Sequence, residues 1–297
     1  MIQVVIVVVF ALLHAIFQSL GDVLRHRDLA RLKGSAKGQK IKPLRSPAFR
    51  TGLYLVLLGF LFQIVALHFG RVVTVQTIAV SAIVFLLIFA SLLSDHKLAR
   101  AEWIGSGLIM GGIIVFLLSV HPTDTGRTTE VDSFGWLVAL SATLVIAMTA
   151  VMVAPSLEAQ PAAMLLGAGS GIAVGVGSGM IAALGILWRD QGVGAMFTSW
   201  LLLGMLFVQG VRLFLLVRAL QVGPVTASIG AFVIMSPLAA WVVGLTLLDE
   251  PLDTGPAFFI GVPIALVMMI PGILLLTRSR VVEEAYSLKG MNFQASW

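Results

Sequence analysis

Nine apolar runs, near 3–21, 50–69, 72–93, 102–120, 134–153, 161–187, 198–220, 224–247 and 256–277, limit what this chain can become more than any other feature. Each is long enough to cross about 30 Å of hydrocarbon as a helix, which takes roughly 20 residues. Only 11% of the 297 residues are charged and 59% are hydrophobic, whereas a soluble domain carries about 25% charge. Too few polar side chains exist to cover a globular surface, so a water-soluble fold is excluded. The expectation is an all-α polytopic transmembrane helical bundle of about nine helices, because a spanning helix satisfies its own backbone in lipid. The first run has no positive segment before it, and basic residues follow it, so it reads as a retained helix rather than a cleaved leader.

The net charge of +5 looks like a signal for nucleic acid until it is located. Of 19 Lys and Arg, nine fall between Arg25 and Arg50, accompanied by only Asp22 and Asp28. Placing the 22–50 loop in the cytoplasm puts Lys97, Arg100, Arg218, Arg278, Arg280 and Lys289 on the same side. Arg71, Arg127 and Arg189 fall on the other, and Arg212 lies within a span. Cytoplasmic loops carry the excess of basic residues, so the expected topology is N-terminus outside and C-terminus cytoplasmic, in the plasma (inner) membrane. The lipid bilayer is then the partner of the chain's surface, and nucleic acid is not a partner.

The chain also repeats itself. ALHFG at 66–70 recurs as ALQVG at 219–223, an offset of 153. Leu92-Leu93-Ser94-Asp95-His96-Lys97-Leu98 answers Leu247-Leu248-Asp249-Glu250-Pro251-Leu252, and Trp103-Ile104-Gly105 answers Phe259-Ile260-Gly261. The reading is a first repeat over 1–120, an outer loop and spacer helix over 121–160, a second repeat over 161–278, and a tail over 279–297. An odd number of helices per offset inverts the second copy in the membrane, as in many transporters.

Two copies of a helix, an A-L-x-x-G bend, a helix ending in an acidic step and a following W/F-I-G helix resemble the drug/metabolite transporter superfamily. Nine helices with a basic first loop are similar to its EamA-type, NIPA-like branch, which is associated with magnesium transport. His96 and Gln76 stand where that pattern usually carries an acid and a proline. The resemblance implies two inverted four-helix halves around a central site.

Polar groups within apolar spans are costly and therefore mark candidate sites. His14, Gln18, Asp22 and Arg25 share one helix face, with Asp22 and Arg25 also readable as an ion pair near the loop. Gln209 and Arg212 lie at i, i+3. Arg212 is about 12 Å from its helix end at 1.5 Å per residue, too deep to reach the interface, and is expected to face a cavity, a partner or an anionic ligand. Gln63, Gln76, Thr77 and Ser236 complete the candidate substrate-binding set. Thr74, Ser81, Thr226 and Ser228 have the competing reading of hydroxyls bonded to their own helix. Trp200 and Trp241 read as interfacial anchors. Gly167, Gly171, Gly175 and Gly179 form a small-residue ridge expected to carry close helix packing between the two halves, or a homodimer contact; Gly107 and Gly111 make a shorter one.

No Walker A sequence, HExxH motif or cysteine is present, so ATP, a zincin centre and thiol chemistry are excluded. No cofactor, resident metal or catalytic residue is expected. The functional expectation is a secondary, alternating-access transporter of a small polar or anionic metabolite or a lipid-linked headgroup, with a proton through His14 as a candidate coupling ion. A divalent-cation transporter is the alternative. Mg²⁺ prefers carboxylate and water oxygens, and the mid-span positions are basic or neutral. A membrane enzyme or a scaffold are the remaining classes.

Overall fold

A computed structural model describes residues 2–35, 46–93, 98–120, 133–250, 255–280 and 282. The central part of the basic loop, the step at 94–97 with Asp95 and His96, the outer loop with Arg127, Asp253, Glu283, Glu284 and Lys289 lie outside the described residues. The protein is all-α among the described residues, with nine helical spans long and apolar enough to cross a membrane. It is a multi-pass membrane bundle.

In chain order the helices are α1 (Ile2–Ser35), α2 (Pro47–Phe69), α3 (Val72–Ala79), α4 (Ala82–Leu93), α5 (Arg100–Val120), α6 (Ser133–Val153), α7 (Ala159–Gln191), α8 (Val193–Thr198), α9 (Trp200–Val222), α10 (Val225–Leu247) and α11 (Pro256–Thr277). Pro47 and Pro256 begin their helices at the position where a missing N–H costs nothing. Gly192 closes α7 with φ +88°, a conformation that favours glycine.

Three departures from the sequence reading matter. The run at 72–93 is two helices, α3 and α4, broken at Val80–Ser81 by i→i+3 bonds from Val80 N–H to Thr77 O and Ser81 N–H to Ile78 O. The sixth span extends to 33 residues and is followed by the short α8. The glycine ridge does not bridge the proposed halves. An added Cβ at Gly167 would stand 2.2 Å from Ser228 O, at Gly171 2.6 Å from Phe232 O, and at Gly175 2.5 Å from Ala240 N. Gly179 likewise faces Val243. The ridge therefore seats α7 on the backbone of α10, within one proposed repeat, because small residues on one helix draw in whichever neighbour offers a matching face. The shorter ridge also shifts register. Gly107 has open space around it, and Gly105 and Gly112 instead approach the Gly272 and Ala265 carbonyls of α11.

The centre belongs to α7, whose apolar window is 83% buried, and to α3–α4, at 72%; α6 is only 22% buried. Leu137, Val145, Met148, Leu203, Leu206, Phe207 and Val267 face outward, as expected where lipid is the solvent. The packed seams are α1–α2, α7–α9, α7–α10 and α5–α11, with α3 crossing between α1 and α10.

Candidate functional site

At mid-bundle the helices part around a cavity of about 250 Å³. α1 contributes His14, Gln18, Ser19 and Asp22; α2 contributes Val56, Leu57, Phe60 and Gln63. Gln76, Ala79, Val80, Ala82 and Ile83 come from the α3–α4 break, and Val174 and Ser178 from α7. Gln209, Arg212 and Leu216 of α9 and Ile229, Phe232, Val233, Ser236 and Pro237 of α10 complete it. These positions lie at the middle of their helices and toward the end where α1 leaves and α2 enters.

Seven of the eight candidate residues, His14, Gln18, Gln63, Gln76, Gln209, Arg212 and Ser236, therefore share one cavity. Thr77 does not. Its hydroxyl donates to Val73 O at 2.8 Å and accepts Trp241 Nε1–H at 3.2 Å, beside a separate apolar cavity of about 60 Å³. Trp241 is correspondingly no interfacial anchor: it stacks on Phe116 with centroids 5.1 Å apart. Its indole N–H finds a partner inside the bundle, where water would otherwise have to supply one.

Several of these residues are held in place by hydrogen bonds or ion pairs to their neighbours. His14 donates Nδ1–H to the Gly59 carbonyl at 3.0 Å, which assigns the proton to that nitrogen and leaves Nε2 of the neutral ring as an acceptor. The glycine at 59 allows this, since a Cβ there would stand 3.3 Å from His14 O and 3.0 Å from Gln18 N. Gln18 donates to Asp22 Oδ2 at 3.4 Å, and Asp22 is ion-paired with Arg25. The backbone of Arg212 is gripped by Ser170 Oγ, which donates to its carbonyl at 2.9 Å from α7. The guanidinium carbon of Arg212 lies 6.0 Å from the centroid of the Phe232 ring, within cation–π range.

Ser178 is a residue that sequence reasoning missed. Its Oγ accepts Gln76 Nε2–H at 2.5 Å and Gln63 Nε2–H at 3.4 Å while donating to Val174 O at 2.9 Å. Three helices, α2, α3 and α7, thus meet at one hydroxyl that floors the cavity. A serine among glycines gives no sign of this, because its local bond to the i−4 carbonyl is what serine does in any membrane helix. Ser228 makes the same local bond, donating to Pro224 O, and also reaches Ala219 O of α9.

Beyond this floor the opposite end is shut. There α2 turns into α3, and the buried carboxylate of Glu250 accepts the Val72 and Val73 amides. His68, also at this end, lies against Phe69 and Trp188 and not in the cavity. Among the described residues no group of three His, Asp or Glu stands together, and the charged side chains lining the cavity are Arg212 and the already paired Asp22. The site can therefore hold a polar group of modest size, with Arg212 offering a forked cationic donor and His14, Gln18 and Gln209 offering hydrogen bonds.

No protein-family profile matches the chain, and no solved structure matches it. An uncharacterized protein of Corynebacterium glutamicum is 24% identical over 275 residues, covering 92% of this chain and 94% of that protein.

Proposed function

We propose that the protein is a secondary transporter that exposes one central site alternately to the two sides of the plasma membrane, with its N-terminus outside and its C-terminus in the cytoplasm. The cargo is a small polar or anionic metabolite, or the headgroup of a lipid-linked one, and Arg212 is its principal contact. The observation that carries this reading is the cavity itself: a space at mid-bundle that gathers His14, Gln18, Gln63, Gln76, Gln209 and Arg212 among apolar side chains, with Glu250 pinning the closed end. An Arg at that depth costs about 2.5–3.5 kcal/mol on insertion scales, which a ligand's negative charge would offset. The 153-residue offset between ALHFG and ALQVG supports an inverted repeat of the drug/metabolite transporter kind. α3 starts at Val72 and α10 at Val225, the same offset apart. With the basic loop cytoplasmic, the described conformation faces inward. The reading gives the protein no catalytic residue, and His14 is the titratable group available to couple a proton.

The test is accessibility in sealed vesicles, using a chain without native cysteine. The thiol of a Gln76→Cys variant is expected to react with a membrane-impermeant maleimide from each side in turn, the balance shifting with cargo. Reaction from one side only, under all conditions, overturns alternating access and leaves a scaffold or an enzyme. Arg212→Ala is expected to abolish uptake of anionic cargo. Divalent-cation uptake that survives Arg212→Ala and fails in Asp22→Asn would establish the cation reading instead.

A further inference from the structure

Part of the cavity wall lies between helices that pack on α7 and not on each other. α2 and α9 both line it, yet among the described residues no packed seam joins these two helices. Between α4 and α10, which likewise share no packed seam among the described residues, the lining residues Ile83 and Ile229 are buried. On the α2–α9 side Leu57 is 51% exposed, more than half-way out of the packed interior, while the lining residues opposite are buried. Phe60 of α2 and Leu216 of α9 also line the cavity. Just outside it stand Leu61 at 56% exposure and Leu213 at 62%, the latter next in sequence to Arg212. Arg212, which lines the cavity, is thus next in sequence to a leucine on the exposed face of α9.

Size points the same way. The cavity of about 250 Å³ falls below the roughly 300–1,000 Å³ that encloses a drug-sized ligand. It can take a headgroup and leaves no room for a long apolar chain. Arg presents its donors in a planar fork that matches phosphate oxygens, and Gln209, Gln18 and His14 ring the same space.

We propose that the cargo is a membrane-resident amphiphile with a phosphate headgroup, which enters sideways between α2 and α9. The phosphate seats at Arg212 while the apolar chain stays in the bilayer, passing over Leu57 and Leu216. This rests on the transporter reading above and narrows its cargo to one class.

The experiment uses the full chain with Leu61→Cys and Leu213→Cys, two exposed positions outside the cavity lining, reconstituted in liposomes and stapled with a reductant-cleavable bismaleimide. One probe is a phosphatidate carrying a fluorophore on its acyl chain, whose translocation is read by dithionite protection; the other is radiolabelled inorganic phosphate. The unstapled protein is expected to move the phosphatidate at least ten-fold faster than protein-free liposomes, with phosphate at background. The staple is expected to remove that activity and reduction to restore it, so the folded state is its own control. Translocation unchanged by the staple, or phosphate uptake that persists with the gap closed, overturns the lateral route. If neither probe moves while the Gln76→Cys thiol still alternates in accessibility, the amphiphile inference fails and the transporter reading stands. If that thiol does not alternate, both fail.

Discussion

Glu250 holds Val72 across 178 positions of sequence: its Oε1 accepts the Val72 amide at 2.6 Å, and Oε2 takes the neighbouring Val73 amide at 3.2 Å. A carboxylate placed on the first free amides of a helix satisfies donors that nothing else in lipid would satisfy, and favours the positive end of the helix dipole. The contact ties the end of α10 to the start of α3.

Glu250→Ala is expected to lower stability by about 3–6 kcal/mol, since hydrogen bonds to a charged group contribute roughly 1.5–3 kcal/mol each and two amides lose their partner. Glu250→Gln keeps one acceptor oxygen and is expected to lose about half as much. Thermal melts in detergent check both. In vesicles, adding Glu250→Ala to the Gln76→Cys variant is also expected to raise labelling of the thiol from the α2–α3 end.

Gly167→Ala is expected to be severe. The new methyl carbon would stand 2.2 Å from Ser228 O, a backbone atom that cannot rotate away, and overpacking of this kind costs about 1–3 kcal/mol or more. Gly210→Ala, with nothing within 4 Å of the added carbon, is expected to be neutral or to stabilise by up to about 1 kcal/mol through helix propensity. Comparing the two melting temperatures separates close packing from helix propensity.

Ser178→Ala removes the acceptor shared by Gln63 and Gln76. Two buried amides then turn toward the cavity, and the expected cost is about 1–3 kcal/mol. Because both glutamines line the cavity, cargo translocation is expected to fall further than the melting temperature would explain, measured on protein selected as monodisperse.

Trp241→Phe keeps an aromatic ring for stacking on Phe116 and deletes the hydrogen bond to Thr77. A loss of about 0.5–1.5 kcal/mol is expected. Trp241→Leu, which also removes the ring contact, is expected to cost about 0.5–1.5 kcal/mol more. The double-mutant comparison with Thr77→Val isolates the bond.

The spans were legible in the sequence because hydrocarbon thickness dictates the length of an apolar run. Arg212, Gln209, His14, Gln18, Gln63 and Gln76 were legible as well, since an amide or a charge within such a run stands out in composition alone. What stayed hidden was partnership. The break at Val80–Ser81 contains neither glycine nor proline, so hydropathy passes over it. The glycine ridge announces a close neighbour without saying that the neighbour is α10. Glu250 reads as a helix-end acid until its two oxygens are seen on α3. Ser178 looks like any serine satisfied by its own helix until two glutamines arrive from other helices. The last three are contacts between segments far apart in sequence, and one chain's residue types do not specify who meets whom.

The length of α7 carries a consequence of its own. Its 33 residues extend about 50 Å at 1.5 Å per residue, well beyond a hydrocarbon slab of about 30 Å. A lipid-facing helix of that length would have to tilt or deform the bilayer to relieve hydrophobic mismatch. α7 is sheathed by its neighbours and makes little contact with lipid, so membrane thickness acts chiefly on the more exposed α1, α2, α6 and α9. The helix that carries Ser178 and grips the Arg212 backbone is thereby insulated from changes in lipid composition, and the geometry of the central site is set by protein neighbours rather than by the membrane around them.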